Sequence, residues 1–296
     1  VWQQLWDNDM LATRLLFGTL MVLFFCGIVL VDGWLDGSIS PSVKDENIQG
    51  TLLAVLVMLL VAVGELELER LLTSTGIRIF RPVVILFAAL LAMAWYVARL
   101  IPAINAGHYF AYVSALAVMA VFFVQARKYA TKNVAVNCGG NLLAILYLGM
   151  LGSFVVGIRT EFGVWPLLMF VLTVKCCDIG AYFTGRFFGR RRFSPSISPG
   201  KTWEGMIGGV VLSMVVAAVF AAKLRLMSAS VGAGFGLIFA FIGQMGDLVE
   251  SMIKRDARLK DSSQAVPGFG GVLDVIDSPL MAAPFAMMFF SYFLSR

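Results

Sequence analysis

Long apolar runs recur along the chain, separated by short polar stretches, and their lengths set the architecture. A hydrocarbon layer of about 30 Å needs about 20 helical residues, with a range of about 17 to 25. Read by that rule, the sequence holds nine candidate spans, over roughly 14–31, 50–64, 82–100, 109–125, 141–157, 164–185, 205–222, 231–246 and 279–295. The runs are continuous rather than alternating. That selects helices over a closed barrel, since backbone amides cannot be left unpaired in lipid. The expected fold is an all-α, polytopic transmembrane bundle. The second and eighth runs are short, which predicts spans that tilt little or extend into polar flanks. Gly232, Gly236 and Ala240 repeat a small residue every fourth position, a spacing that predicts close helix packing.

Composition agrees. Mean hydropathy is +0.86 and 14% of residues are charged, against about a quarter in soluble domains. The net charge of +5 suits a protein facing anionic lipid and does not point to nucleic acid. No stretch reads as a cleavable signal peptide. With the N-terminus inside and nine spans, 17 Lys and Arg fall on the inner side and 6 on the outer. The N-terminus and the 186–204 loop are therefore expected on the cytoplasmic face of a multi-pass membrane protein. Cys26, Cys138, Cys176 and Cys177 lie in or beside apolar runs without ligand spacing, and read as helix packing rather than metal or redox chemistry.

The polar residues are distributed unevenly. No internal repeat is visible, and the chain divides into N-terminal membrane helices (1–140, spans 1–4) and a C-terminal catalytic region (141–296, spans 5–9). In the first part, 32–49 reads as an acidic outer loop and His108 as a solvated loop residue. Glu65, Glu67 and Glu69 read as the water-facing end of the second span. The second part holds the stretch from Gly246 to Ser278, which carries six acids and four bases between two apolar runs.

The chemistry concentrates there. Asp247, Glu250, Ser251 and Lys254 share a helix face by their spacing, as do Asp274 and Asp277 if their segment is helical. Ser278 before Pro279 reads as a start for the last span. Carboxylates converging from two segments suit Mg²⁺, a hard cation that takes waters and substrate phosphates as its other ligands. Pro267, Gly268, Gly270 and Gly271 form a turn whose backbone can lie against a phosphate chain. Bases among these acids fit as clamps on charge developing during phosphoryl transfer. Upstream, Asp178 sits inside an apolar span, where a carboxylate is costly without a partner or a function. Gly180, Gly185 and Gly189 leave a groove or let backbone approach. Gly200, Lys201 and Thr202 open a helix, where free amides favour an anion. This is not a P-loop, because the glycine required five residues before Gly200 is Pro195. Arg190, Arg191 and Arg192 suit both a positive-inside anchor and lipid phosphate.

The segments S-M-I-K-R-D-A-R-L-K-D (251–261) and P-G-F-G-G-V-L-D-V-I-D (267–277) resemble the signature of phosphatidate cytidylyltransferases, the CDP-diacylglycerol synthases. D-I-G-A-Y-F-T-G-R (178–186) and S-P-G-K-T-W-E-G (198–205) match the same family, and nine spans fit it. The resemblance is confined to about the last 120 residues. It implies transfer of CMP from CTP to phosphatidate, giving CDP-diacylglycerol and pyrophosphate at a site facing the cytoplasm, as in a bacterial inner membrane. It implies Asp247, Asp274 and Asp277 as ligands of Mg²⁺, and admits a second, monovalent cation and a homodimer. Lys201, Lys254, Arg255 and Lys260 would neutralise phosphate charge, while Asp178, Ser198, Thr202 and Asp261 would line the pocket. Phe269 and Val275 stand where the family usually has His and Arg. Three alternatives bear on this reading. A CTP-dependent lipid or polyprenol kinase would attack a different phosphorus, and a catalytically weakened relative would follow from Phe269 and Val275. A transporter is disfavoured, because the polar residues crowd into one half of the chain.

Overall fold

The computed structural model describes residues 2–39, 50–263, 265 and 270–294, with side chains from residue 16 onward. Pro267, Gly268 and Phe269 lie outside the described residues. The helices are α1 (Trp2–Leu35), α2 (Thr51–Ser74), α3 (Arg81–Ala92), α4 (Ala94–Leu100), α5 (Ala106–Tyr129) and α6 (Val134–Ala144). A π-helical turn (Ile145–Met150) then leads into α7 (Leu151–Phe162), followed by α8 (Val164–Phe188), α9 (Trp203–Lys223), α10 (Ala229–Asp256) and α11 (Leu273–Phe293). An isolated antiparallel bridge joins Arg192 and Thr202.

Eight helical segments are long and apolar enough to cross a membrane, and α3 with α4, bent by 52°, makes a ninth if counted as one span. The hydrogen bonds favour counting it. The chain entering α3 is held by Asn141 of α6, which accepts from Phe80 N at 2.7 Å and donates to Arg78 O at 2.8 Å. Tyr96 of α4 pairs with Thr51, at the start of α2, at 3.0 Å. The α2 helix ends where α3 begins, so the bent pair runs from one end of the bundle to the other. The expected nine-span, all-α membrane bundle is observed in this form.

As the short second and eighth runs predict, α2 and α10 continue into their polar flanks, to Ser74 and Asp256, and carry charged residues on helix. One boundary differs from the sequence expectation. The last helix begins at Leu273, before Pro279, because Glu67 of α2 accepts the N–H groups of Val272 and Leu273 at 3.0 and 2.8 Å. Those donors have no partner within the helix, so a carboxylate placed there lets the helix start early and leaves Pro279 inside it. The position between residues 140 and 141 falls within α6.

Small residues bring α8, α9 and α10 together. A side chain at Gly180 would meet Gly208 O at 2.9 Å, and one at Gly236 would meet Ser213 O at 2.5 Å. Gly232 likewise faces Ala217 and Ala221, so the spacing seen in the sequence does mark a close contact, of α10 on α9. In lipid, where apolar surfaces are not driven together by water, such contact supplies association through van der Waals packing. The four cysteines are free.

Of the 32–49 segment expected as an acidic outer loop, 40–49 lie outside the described residues, and 32–39 differ from that expectation. The α1 helix extends to Leu35, and Asp32 and Asp36 are buried against Arg159 of α7, which is 0% exposed. Arg159 Nε is 3.0 Å from Asp32, and Nη2 bonds Asp36.

Candidate active site

Periodicity on α10 puts Asp247, Glu250, Ser251 and Lys254 on one face, and α11 opposes it with Asp274 and Asp277 in its first turns. Gly246 permits the approach: a side chain there would meet Asp277 O at 2.9 Å. One carboxylate oxygen from each of Asp247, Glu250 and Asp277 lies within 4.8 Å of the others. Glu250 is 1% exposed and its Oε1 has no hydrogen-bond partner, while Oε2 is 2.6 Å from Lys254 Nζ.

Asp274, expected beside Asp247 and Asp277, is engaged elsewhere. It bonds Lys254 Nζ and accepts from Ser262 Oγ at 2.7 Å, Ser262 N at 3.2 Å and Gly271 N at 2.7 Å. Glu250 stands in the cluster in its place. Gly270 has φ of +106°, and a side chain there would meet Asp274 Oδ2 at 2.7 Å. A Cβ on Gly271 would collide with Ser262 Oγ and with Glu67. These glycines admit the turn onto Asp274, behind the cavity wall rather than on it.

Glu67 is the largest departure from expectation. Instead of facing water, it is 4% exposed and accepts from Ser262 Oγ at 3.0 Å and Ser263 Oγ at 2.7 Å, besides the two amides of α11. One side chain from the N-terminal helices thereby ties both flanks of the 264–269 segment. Its neighbour Glu65 is 2% exposed with neither oxygen bonded. The clue available in the sequence was that the acids continue an apolar helix without a break.

The remaining residues close the site from α8 and α9. Asp178 Oδ1 accepts from Gln244 at 3.1 Å, and its other oxygen lies 3.4 Å from Lys175. Lys201 Nζ is 2.8 Å from Asp247, which also accepts from Ser251 at 3.2 Å. Thr202 caps α9 by accepting from Gly205 N at 3.1 Å, and Thr202, Gly205 and Met206 at this end of α9 line the cavity. The loop before it forms a hairpin: Trp203 N donates to Arg191 O at 2.9 Å, and Glu204 accepts from the amides of Arg190 and Arg191 at 3.0 and 3.1 Å. The Arg190, Arg191 and Arg192 side chains stay exposed. Arg255 joins this loop to the end of α10 through Ile197 O at 3.2 Å.

The facing acids of α10 and α11, with Asp178, Lys201, Thr202 and Arg255, line one cavity of about 800 Å³. Its polar arm is walled by Asp178, Ser198, Lys201, Thr202, Asp247, Glu250, Lys254, Arg255, Lys260, Asp261, Asp274 and Asp277. Lys260 and Asp261 are exposed. Its apolar arm runs between Met21, Val22 and Phe25 of α1, Leu56 and Leu60 of α2, and Val171 and Leu172 of α8. Val275 also lines the cavity and contributes no charge. A chamber with converging acids, clustered cations and an apolar slot suits a phosphorylated ligand joined to an apolar one.

Comparison with known proteins agrees with this geometry. A model of the cytidylyltransferase family matches residues 12–293, and the chain belongs to that family. The chain is 46% identical over 136 residues to a phosphatidate cytidylyltransferase of Haemophilus influenzae, covering 44% of this chain and 46% of that protein. It is 37% identical over 154 residues to a phosphatidate cytidylyltransferase of Bacillus subtilis, covering 51% and 57%. It is also 39% identical over 127 residues to the uncharacterized protein YnbB of Escherichia coli, covering 43% of each. The chain thus spans about half the length of the curated relatives it matches.

Proposed function

We propose that this member of the cytidylyltransferase family transfers CMP from CTP to phosphatidate, giving CDP-diacylglycerol and pyrophosphate. The observation that carries the reading is the convergence of Asp247, Glu250 and Asp277 in a cavity lined by both cationic and apolar side chains. The names of the similar proteins support the same chemistry.

The acidic cluster fits a hard divalent cation such as Mg²⁺, because three carboxylates converge and the buried Glu250 Oε1 has no hydrogen-bond partner. Asp247, Glu250 and Asp277 would hold it, and once bound it supplies positive charge to nucleotide phosphate and to departing pyrophosphate. Asp274 takes a supporting role by orienting Lys254.

The residues of the chain then act by position and charge. A phosphate monoester is already anionic at neutral pH, so no strong general base is needed. An oxygen of the lipid phosphate bonds to the α-phosphorus of CTP as the bond from that phosphorus to the bridging oxygen breaks, and pyrophosphate leaves with the electron pair. Lys201, Lys254, Arg255 and Lys260 offset the charge on the triphosphate and its leaving group. The N-terminus of α9 adds its backbone dipole on the same side. By the Lys and Arg distribution, this end of the bundle faces the cytoplasm of a bacterial inner membrane.

The test is turnover by purified protein with labelled CTP and phosphatidate, with and without Mg²⁺. Mg²⁺-dependent transfer of label to lipid with stoichiometric pyrophosphate is expected. Release of CDP with a newly phosphorylated lipid would identify a kinase instead, and no turnover would sink the reading.

A further inference from the structure

Lys175 is a cation near the midpoint of the 25-residue helix α8, where lipid makes charge costly. It lies between the two arms of the cavity. Val171 and Leu172, one turn earlier, line the apolar arm, and Asp178 and Tyr182, one and two turns later, line the polar one. Of the lysines deep in this chamber it has the weakest partner. Lys201 is 2.8 Å from Asp247, and Lys254 is shared by Glu250 at 2.6 Å and by Asp274. Lys175 is 3.4 Å from Asp178, whose other oxygen is already held by Gln244. Its side chain remains 22% exposed, to the cavity it lines.

An ammonium at the junction of a polar and an apolar arm suits the anionic head of an amphiphile. We propose that Lys175 binds the phosphate monoester of the lipid acceptor, whose acyl chains extend along the apolar arm between α1, α2 and α8. The proposal rests on the transferase reading and adds which group selects the acceptor. A lysine is a compact point charge that attracts a phosphate dianion strongly where water is scarce. A neutral diacylglycerol in the same place leaves Lys175 only its 3.4 Å pairing with Asp178, so the site favours the lipid that carries a phosphate. Holding the monoester here fixes the attacking oxygen relative to the triphosphate on Lys201 and Lys254, which makes Lys175 a substrate-positioning residue.

Two measurements test this. In equilibrium binding of labelled dioleoyl phosphatidate and dioleoylglycerol to detergent-purified protein without CTP or metal, the wild type is expected to prefer phosphatidate by at least about 10-fold. Lys175→Gln is expected to lose that preference and Lys175→Arg to keep most of it. Glycerol 3-phosphate and inorganic phosphate are expected to compete poorly, because they leave the apolar arm empty. In turnover, Lys175→Gln is expected to raise KM for phosphatidate about 10-fold with KM for CTP unchanged. An unchanged preference or lipid KM in Lys175→Gln overturns the proposal, as does a wild type without preference or one in which inorganic phosphate competes as well as phosphatidate. If Lys175→Gln does not fold, the wild-type competition and Lys175→Arg decide. Preference for phosphatidate without CMP transfer would sink the transferase reading alone, whereas CMP transfer with an unaltered lipid KM in Lys175→Gln would sink this inference alone.

Discussion

Charge is buried at both ends of the bundle, to different effect. At one end Arg159 meets Asp32 and Asp36, and every oxygen of the two acids has a partner. Asp32 accepts from Leu52 N at 2.8 Å as well as from Arg159, and Asp36 accepts from Ser38 Oγ at 2.6 Å. At the other end Asp247, Glu250 and Asp277 converge with an unbonded carboxylate oxygen and open onto a cavity of about 800 Å³. Burial of charge is therefore no mark of function by itself. An excess of one sign facing open volume is, because only there does a ligand supply what the protein leaves unpaired.

The contrast is open to direct tests. Asp277→Asn is expected to cut CMP transfer by about 10²- to 10³-fold while the protein keeps its denaturation midpoint, measured on the same detergent sample. Full activity in that variant would remove Asp277 from the site. Arg159→Met is expected to do the opposite, destabilising the protein by about 3–5 kcal/mol because two carboxylates stay buried without a cation. Its KM for CTP should not move; a selective loss of activity at full stability would place Arg159 in the machinery after all.

Glu67→Gln tests the link between the halves of the chain. It is expected to lower kcat about 10- to 100-fold by loosening Ser262, which bonds Asp274, and the start of α11, which carries Asp274 and Asp277, and to speed amide exchange at 262–263 and 271–273. Unaltered exchange there would show that Glu67 does not hold the loop. The smallest effect is expected in the scaffold. Gly236→Ala should cost about 1–3 kcal/mol by overpacking against α9, whereas Gly234→Ala on the same helix, with nothing within 4 Å of the added atom, should be near neutral. Equal unfolding midpoints for the two would mean that α10 is not held tightly there.

Much of this was legible in the residues. The nine apolar runs correspond to eight helical segments long enough to span a membrane and one bent pair, and the faces of α10 and α11 followed from side chains three and four positions apart. The small-residue spacing marked the α9 contact. What escaped shares one cause. Glu67 read as the water-facing end of a span and Asp32 and Asp36 as part of an acidic outer loop, and nothing local distinguishes an acid that meets water from one that meets a helix start or a guanidinium far along the chain. Asp274 was grouped with Asp277 on spacing, yet Lys254 and the turn at Gly270 and Gly271 claim it, and Glu250 takes the place beside Asp247.

The sequence by itself determined that this chain is a helical membrane protein with its chemistry gathered at one end, because hydrophobic run length and helical periodicity act over a few turns and need no knowledge of neighbours. Only the tertiary structure decided which carboxylates face one another, which are neutralised by a distant cation, and that Lys175 stands where a polar chamber meets an apolar slot. Those outcomes depend on separations of a few ångströms between residues as far apart as Glu67 and Leu273, and charge interactions in a dry interior change steeply over such distances.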